Sequence, residues 1–470
     1  MKRILFFTFV LVTAISPVWP QTNFQSLECF TQLPDSVNKS IIRELSFPES
    51  ISYVETTSSH YFVFHDGDTN MLLGIVIASN LYVNDFVIVG DTVFFCGRNA
   101  NGDIGFFGHF LIQDFFLNTH GYTVTDFTFL TSQGQVRSFD KMVTYLESGV
   151  RIFAAIGHST TGNYVVAELN FEPNVPTYQY NIGELTTSSN ESILDIALTN
   201  SYVITAGFEN AYSTDRLLCV RVYERSSLFT NNGPQDVANY IYPASLPSTY
   251  FEGNQLVITN LLHDEFAVAA YWTFQNSSTT LGTYVGIYEI GSNYSLTSLG
   301  SIRIDQSPNY LNGGWTLRGM TPQGPTSMFY LLQNAEYSPL GPVLFVNEII
   351  KLDYTLITTP PPPSGDYLDM LYREDPYLQS IDALGNINDF MTIGFYNAHP
   401  KDPRYLAYYY SSTVNGTPCH LPGTVWFDRV TMPQSRYNNA PFVVYNGAGQ
   451  TFLPYTGVEM QFQIVSGCNQ

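Results

Sequence analysis

The chain reads as an all-β protein, a β-propeller of about seven four-stranded blades whose termini close the ring. Three observations carry that reading. A hairpin pattern of apolar strand, polar turn and apolar strand recurs at Tyr61–Ile77, Thr92–Phe110, Arg151–Leu169, Tyr202–Val222, Phe266–Ile290, Met328–Ile349 and Phe390–Tyr410. A supersecondary unit repeated at roughly 50–60 residues marks a solenoid or propeller. Apolar residues alternate or cluster in short runs rich in Val, Ile, Tyr, Phe and Thr, punctuated by Gly, Asn, Asp and Pro, with hardly any helical periodicity. Charged residues make up only 13% of the chain while aromatics reach 15%. That is too much Phe and Tyr to leave in water and too little charge for disorder.

From the N-terminus, Lys2 and Arg3 precede an apolar run, Ile4–Ile15, that Ser16, Pro17 and Pro20 break. The run is shorter than the ~20 residues of a spanning helix and suits a secretory signal. Residues 1–20 are therefore expected to be a signal peptide and Gln21 the mature start, although Pro20 makes a poor cleavage position. The expected location is extracellular, periplasmic or at the cell surface, with no transmembrane segment.

The middle of the chain shows whole blades. Lys141–Leu146, Arg151–Gly157, Tyr164–Leu169 and Thr177–Ile182 form one four-strand unit. Ile193–Leu198, Tyr202–Gly207, Leu217–Tyr223 and Val237–Tyr242 form the next, and Leu256–Leu261, Glu265–Trp272, Tyr284–Ile290 and Leu299–Ile304 a third. Four strands in about 45 residues is the size of a propeller blade. Two units open alike: Asp85 begins a strand that turns into one ending at Gly97, and Asp195 does the same before Gly207. In these features the chain resembles exported repeat proteins of Bacteroidetes-type bacteria that are thought to form β-propellers. The resemblance implies that fold and export, and it brings no assigned activity and no catalytic residue.

The first two hairpins are only ~34 residues apart, short for a blade. The first blade is thus expected to lack a strand, which Ala440–Tyr445 or Met460–Val465 would supply by closing the ring. Residues 21–357 are read as propeller blades and 358–365 (TPPPPSG within it) as a proline-rich loop or linker. Residues 366–470 hold the last blade and the ring-closing strands, or alternatively a separate small β domain. Asp366–Asp375 is the best short-helix candidate.

The net charge of −21 would repel phosphate backbones, so nucleic acid is excluded as a partner. The five cysteines include no C-x-x-C pair. Cys96 and Cys219 lie inside apolar strands and read as small buried hydrophobes, whereas Cys419 and Cys468 are positioned near turns where a disulfide could form, leaving Cys29 over.

No motif specifies chemistry. Gly157-His158-Ser159-Thr160-Thr161-Gly162 has its second Gly one residue too late for a nucleophile elbow and lies between two strands, as a hairpin turn does. Asp66, Asp68 and Asn70, and then Asn99, Asn101 and Asp103, alternate oxygen donors as calcium loops do. Neither set continues with the Gly and bidentate Glu of an EF-type loop, and tight hairpins select the same residues. The expectation is no metal, no cofactor and no catalytic residue. His65, His109, His158 and His399 lie in or beside hairpin loops without ligand spacing, His263-Asp264-Glu265 reads as a polar turn, and the Asp-box of sialidase propellers is missing.

The function expected from this pattern is a monomeric exported binder that recognises a glycan or protein on one face of the ring. The alternatives are a glycan-active hydrolase or lyase, with acidic residues of several blades meeting at the central channel, and a structural envelope component. Channel chemistry divides the first two, because convergent carboxylates with an Arg on an open pocket would favour an enzyme.

Overall fold

The computed structural model describes residues 25–32, 37–46, 49–66, 71–78, 80–117, 123–125, 130–131, 134–147, 150–171, 179–185, 191–209, 217–227, 236–241, 249–261, 263–274, 281–305, 316–322, 328–337, 344–358, 369–374, 377–383, 390–396, 405–414, 417–418, 425–427, 442–446, 449–453 and 462–464. Residues 1–20, His399, Cys419 and Cys468 lie outside these residues.

The chain opens with β1 (Gln25–Gln32) and then lays down antiparallel sheets in succession. The first is β2 (Val37–Ser46), β3 (Glu49–Thr56), β4 (His60–Asp66) and β5 (Met71–Ile77). The second is β6 (Leu81–Val89), β7 (Thr92–Asn99), β8 (Gly105–Leu111) and, after a single-turn helix α1 (Asp114–Leu117), β9 (Thr123–Thr125). The third is β11 (Gly134–Glu147), β12 (Val150–Ser159), β13 (Tyr164–Phe171) and β14 (Gln179–Glu184), with the short β10 (Leu130–Thr131) beside β11.

The fourth sheet is β15 (Ser192–Leu198), β16 (Tyr202–Glu209), β17 (Leu217–Glu224) and β18 (Asp236–Ile241). The fifth is β19 (Thr249–Asn260), β20 (Glu265–Phe274), β21 (Leu281–Ile290) and β22 (Leu296–Asp305). The sixth is β23 (Thr316–Pro322), β24 (Met328–Tyr337), β25 (Leu344–Asp353) and, beyond the short helix α2 (Tyr354–Thr358), β26 (Asp369–Glu374). A last sheet joins β27 (Tyr377–Asp382), β28 (Phe390–Tyr396) and β29 (Tyr405–Val414) to β1, and β30 (Thr417–Pro418) folds back on β29. Farther on, β31 (Val425–Phe427) pairs with β34 (Phe462–Ile464), and β32 (Phe442–Asn446) with β33 (Gly449–Leu453).

The first strands β2, β6, β11, β15, β19, β23 and β27 touch in that order, and β27 touches β2. They encircle one axis, and the protein is a β-propeller. Six blades, not seven, are built from four consecutive strands, which corrects the expected count. The remaining sheet is composite and contains both ends of the ring.

Packing follows from this geometry. Central strands such as β7 and β16 are buried along nearly their whole length, because each blade is covered on both faces by its neighbours. That is why the sequence shows apolar runs rather than clean alternation. The hydrophobic clusters lie between blades. One joins Ile51, Tyr53 and Phe62 of the first blade to Phe86, Phe95 and Phe110 of the second. Another joins Ile204, Val220 and Val222 of the fourth to Phe266, Val268 and Tyr288 of the fifth. Phe62 illustrates the fit: its ring centre is 5.3 Å from those of Phe86 and Phe95 and 5.0 Å from that of Phe110.

Three expectations change. The first blade lacks nothing, because β2 and β3 precede the Tyr61–Ile77 hairpin, which is β4–β5 rather than the β7–β8 type of central hairpin seen in later blades. That phase difference accounts for the short spacing. Closure comes from the N-terminus: β1 pairs with β29 from Gln25 opposite Ser412 to Gln32 opposite Tyr405. The strands expected to close the first blade pair elsewhere, β32 with β33 and β34 with β31. Of the expected helix Asp366–Asp375, the described part is strand instead, β26, paired with β25.

These pairings predict different fates for two truncations. Removing residues 1–32 strips β1 from β29, exposing an edge, and should lower the melting temperature and promote aggregation. Ending the chain at residue 439 leaves that pairing in place and should change the main transition less. Thermal melts with light scattering measure both, and the reverse ranking would contradict closure by β1.

Candidate functional site

The axis-lining strands hold the chain's unusual chemistry. In β6 the register slips between Val83 and Asp85, in β11 between Phe139 and Lys141, and in β15 between Ile193 and Asp195. Each slip is a β-bulge, which turns side chains away from the regular alternation. Asp85, Lys141 and Asp195 follow the bulge in the same way, opposite the residue just before Gly97, Gly157 and Gly207 respectively. A Cβ on those glycines would stand 1.9 Å from Tyr82 O, 1.9 Å from Ser138 O and 1.7 Å from Ser192 O. The glycines shared by the repeats are thus required by the close approach of the bulged strand.

The aspartates tie blade to blade. Asp85 accepts from its neighbour Phe86 N at 2.9 Å and from Met142 N of the next inner strand at 3.0 Å. Asp195 repeats the pattern with Ile196 N and Ile258 N, each at 3.0 Å. In the closing sheet, Asp382 accepts from Glu44 N at 2.8 Å and Ser380 Oγ from Ile42 N at 3.3 Å. An inner strand has a ladder partner on one side only, so its outward N–H groups need acceptors from somewhere else. The neighbouring blade supplies them.

Cations alternate with these carboxylates. Arg43 on β2 donates to Asp85 Oδ1 at 2.7 Å and to Phe86 O at 3.0 Å. Lys39 donates to Val83 O at 3.1 Å and Asn84 O at 2.7 Å. Passing from β27 to β15, the inner strands carry Asp382, Arg43 with Lys39, Asp85, Lys141 and Asp195. Two of the chain's five lysines stand here, so the placement is selective. Burial raises the Asp195 and Asp382 carboxyls above their ordinary range, while Lys141 beside the first and Arg43 beside the second pull them back. Asp195 in turn raises the Lys141 ammonium against the effect of its burial. Burial lowers Lys39 to about 8.

The bulged residues form a second, more open group. Asn84 Nδ2 donates to Phe139 O at 2.9 Å and to Asp140 Oδ1 at 3.3 Å, crossing from the second blade to the third. Asp140 Oδ2 lies 2.8 Å from His158 Nδ1.

The residues singled out in the sequence are placed as follows. Asn99 Oδ1 accepts from Asp103 N and Ile104 N, and Asn99 Nδ2 donates to Asp103 Oδ1 at 2.6 Å. That loop is closed by its own Asn99, while Asn101 is exposed. Asp66 ends β4 opposite Met71, and Asp68 and Asn70 lie outside the described residues. His65, His109 and His158 stand on three different sheets, and among the described residues no group of three His, Cys, Asp or Glu could hold a metal. Cys96 and Cys219 are buried free thiols. Ser159–Gly162 is a turn, with Gly162 at φ 90°. His263 takes φ 56° in a turn whose Asp264 accepts from Thr199 Oγ1 at 2.9 Å. No described helix is long and apolar enough to cross a membrane.

Sequence reasoning noted Asp85 with Gly97 and Asp195 with Gly207 but missed Asn84, Asp140 and Lys141. The equal spacing of the two Asp–Gly pairs was the available signal for the bulge.

No protein-family model matches the chain, and no curated protein matches it. Solved structures similar to it include the Nup133 β-propeller domain of Vanderwaltozyma polyspora, with TM-score 0.43, 8% identity, and 82% of this chain and 98% of that one covered. An α-L-arabinanase of Penicillium chrysogenum complexed with arabinobiose gives TM-score 0.36 and 9% identity over 83% of this chain and 98% of that one. A post-proline cleaving enzyme from Rickettsia typhi gives TM-score 0.37 and 9% identity over 76% of this chain, which spans 50% of the enzyme. Likeness this distant assigns no activity.

Two predictions follow from the axis. Gly207→Ala should cost about 2 kcal/mol or more in denaturant unfolding, since it forces Cβ onto a backbone oxygen. Gly74→Ala, whose Cβ would meet nothing closer than Phe62 O at 3.8 Å, should stay within about 1 kcal/mol. Equal costs would show that the close approach is not what requires glycine.

Lys39 gives a pH dependence. Between about 8 and its ordinary 10.5, the unfolded chain holds a proton that the folded one has released. Stability contributed by this group therefore rises with pH across that window. Wild type should gain on Lys39→Met in urea titrations between those values, and a constant difference would contradict burial as the governing influence.

Proposed function

We propose that this propeller is an exported binding protein whose ligand, a glycan or another protein, sits on one face of the ring. The observation that carries this reading is the engagement of the axial carboxylates. Asp85, Asp195 and Asp382 each accept backbone N–H groups from a neighbouring blade. A carboxylate so held is an architectural acceptor, and moving it to transfer protons would release a buried N–H at a cost of about 1–3 kcal/mol. The acid–base pair that a glycosidase requires, two carboxyl groups flanking an open cleft, does not arise from residues committed in this way. Export rests on Lys2, Arg3 and the Ile4–Ile15 run.

The test is turnover. Purified protein incubated with a panel of polysaccharides should release no reducing ends above a heat-inactivated control. Sustained release that Asp85→Asn or Asp195→Asn abolishes without unfolding the protein would overturn the binding reading and establish the enzyme.

A further inference from the structure

The chain Asn84–Asp140–His158 stands apart from the axial ties because it is partly open to water. The Asp140 side chain is 40% exposed and that of His158 28%. Both Asn84 and Asp140 are bulged residues, of β6 and β11, which is how a backbone aims a side chain out of its sheet. Their placement is stiff. Asn84 is anchored on Phe139 O, and His158 follows Gly157, whose strand is pressed against Ser138 O.

Valences remain in this group. Asn84 Oδ1, His158 Nε2 and the further lone pairs of Asp140 have no protein partner among the described residues. If Nδ1–H donates to Asp140, Nε2 is presented as an acceptor. Beside them is an aromatic face, since the Tyr164 ring centre lies 4.5 Å from that of His158, and Tyr164 is partly exposed. The surroundings do not favour an anion. The Lys141 charge is matched by Asp195 and Asp85, and Asp140 itself would repel an anion. Amide, carboxylate and imidazole at fixed positions next to an aromatic ring suit a neutral ligand rich in hydroxyl groups, which can donate to the carboxylate and amide oxygens and stack its C–H face on the ring.

We infer that Asn84, Asp140, His158 and Tyr164 form a binding site for a neutral sugar chain at the junction of the second and third blades. The inference rests on the binding reading given above and names the site and ligand class.

The probes are cellohexaose, xylohexaose, mannohexaose and arabinohexaose, titrated calorimetrically into the full chain. At least one should bind, and Asp140→Asn and His158→Ala should each weaken it roughly tenfold, the effect of losing a hydrogen bond to a charged group. Their melting temperatures should stay near that of wild type. Should a variant fail to fold, the His158 imidazole resonance of the wild-type protein decides, because it must shift as the sugar saturates. Unchanged affinity in folded variants, or an unmoved resonance, overturns the site and leaves binding elsewhere on the ring. If no hexasaccharide binds, the site is likewise overturned and a protein ligand is left for the propeller. Sugar cleavage that stops in His158→Ala would keep the site and overturn the binding-only function.

Discussion

A propeller blade has an edge strand facing the axis, and that edge is closed in on both sides by its neighbours. Its outward N–H groups reach neither a ladder partner nor bulk water, and each one left unmet costs about 1–3 kcal/mol. The twist between blades prevents continuous pairing from one sheet to the next. Side-chain acceptors must therefore stand in for a missing strand. Asp85, Asp195 and Asp382 do so for Met142, Ile258 and Glu44, and the rest of the axis is arranged around this requirement.

The bulges, glycines and cations follow from it. A regular strand would direct the aspartate into its own sheet face, so a bulge is needed to aim it forward. The bulge pushes a carbonyl against the paired strand, where only glycine fits. Buried carboxylates then need opposite charge, which Arg43 and Lys141 bring from adjacent blades. Removing one member leaves its partners uncompensated, the costly outcome for buried charge. The same stiffness extends to Asn84 and Asp140, the bulged residues themselves, which are tied together across the two blades.

Much of this was legible locally. The strands of the third, fourth and fifth blades fall close to where alternation and turn residues put them, since each is a self-contained run of β-branched and aromatic residues. The errors concern long-range pairing. Val37–Ser46 holds Lys39, Arg43 and Glu44 among its apolar residues and gave no strand signal, yet it lines the axis where those charges are used. Asp369–Glu374 is rich in helix formers, but the open edge of β25 decides its state, as context commonly overrides propensity. Ala440–Tyr445 and Gln25–Gln32 are both strand-like, and nothing local says which of them closes the ring. At the site, the Asp–Gly spacing was visible but its partners, in the next blade, were not.

Native-state hydrogen exchange tests the central claim most directly. The amides of Met142, Ile258 and Glu44 each donate to an aspartate of a neighbouring blade. They should be protected nearly as well as the ladder amides of their own blades, and Asp195→Ala should accelerate Ile258 while leaving Met142 unchanged. Exchange of all three in wild type at the rate of exposed edge amides would show that the aspartates do not join the blades.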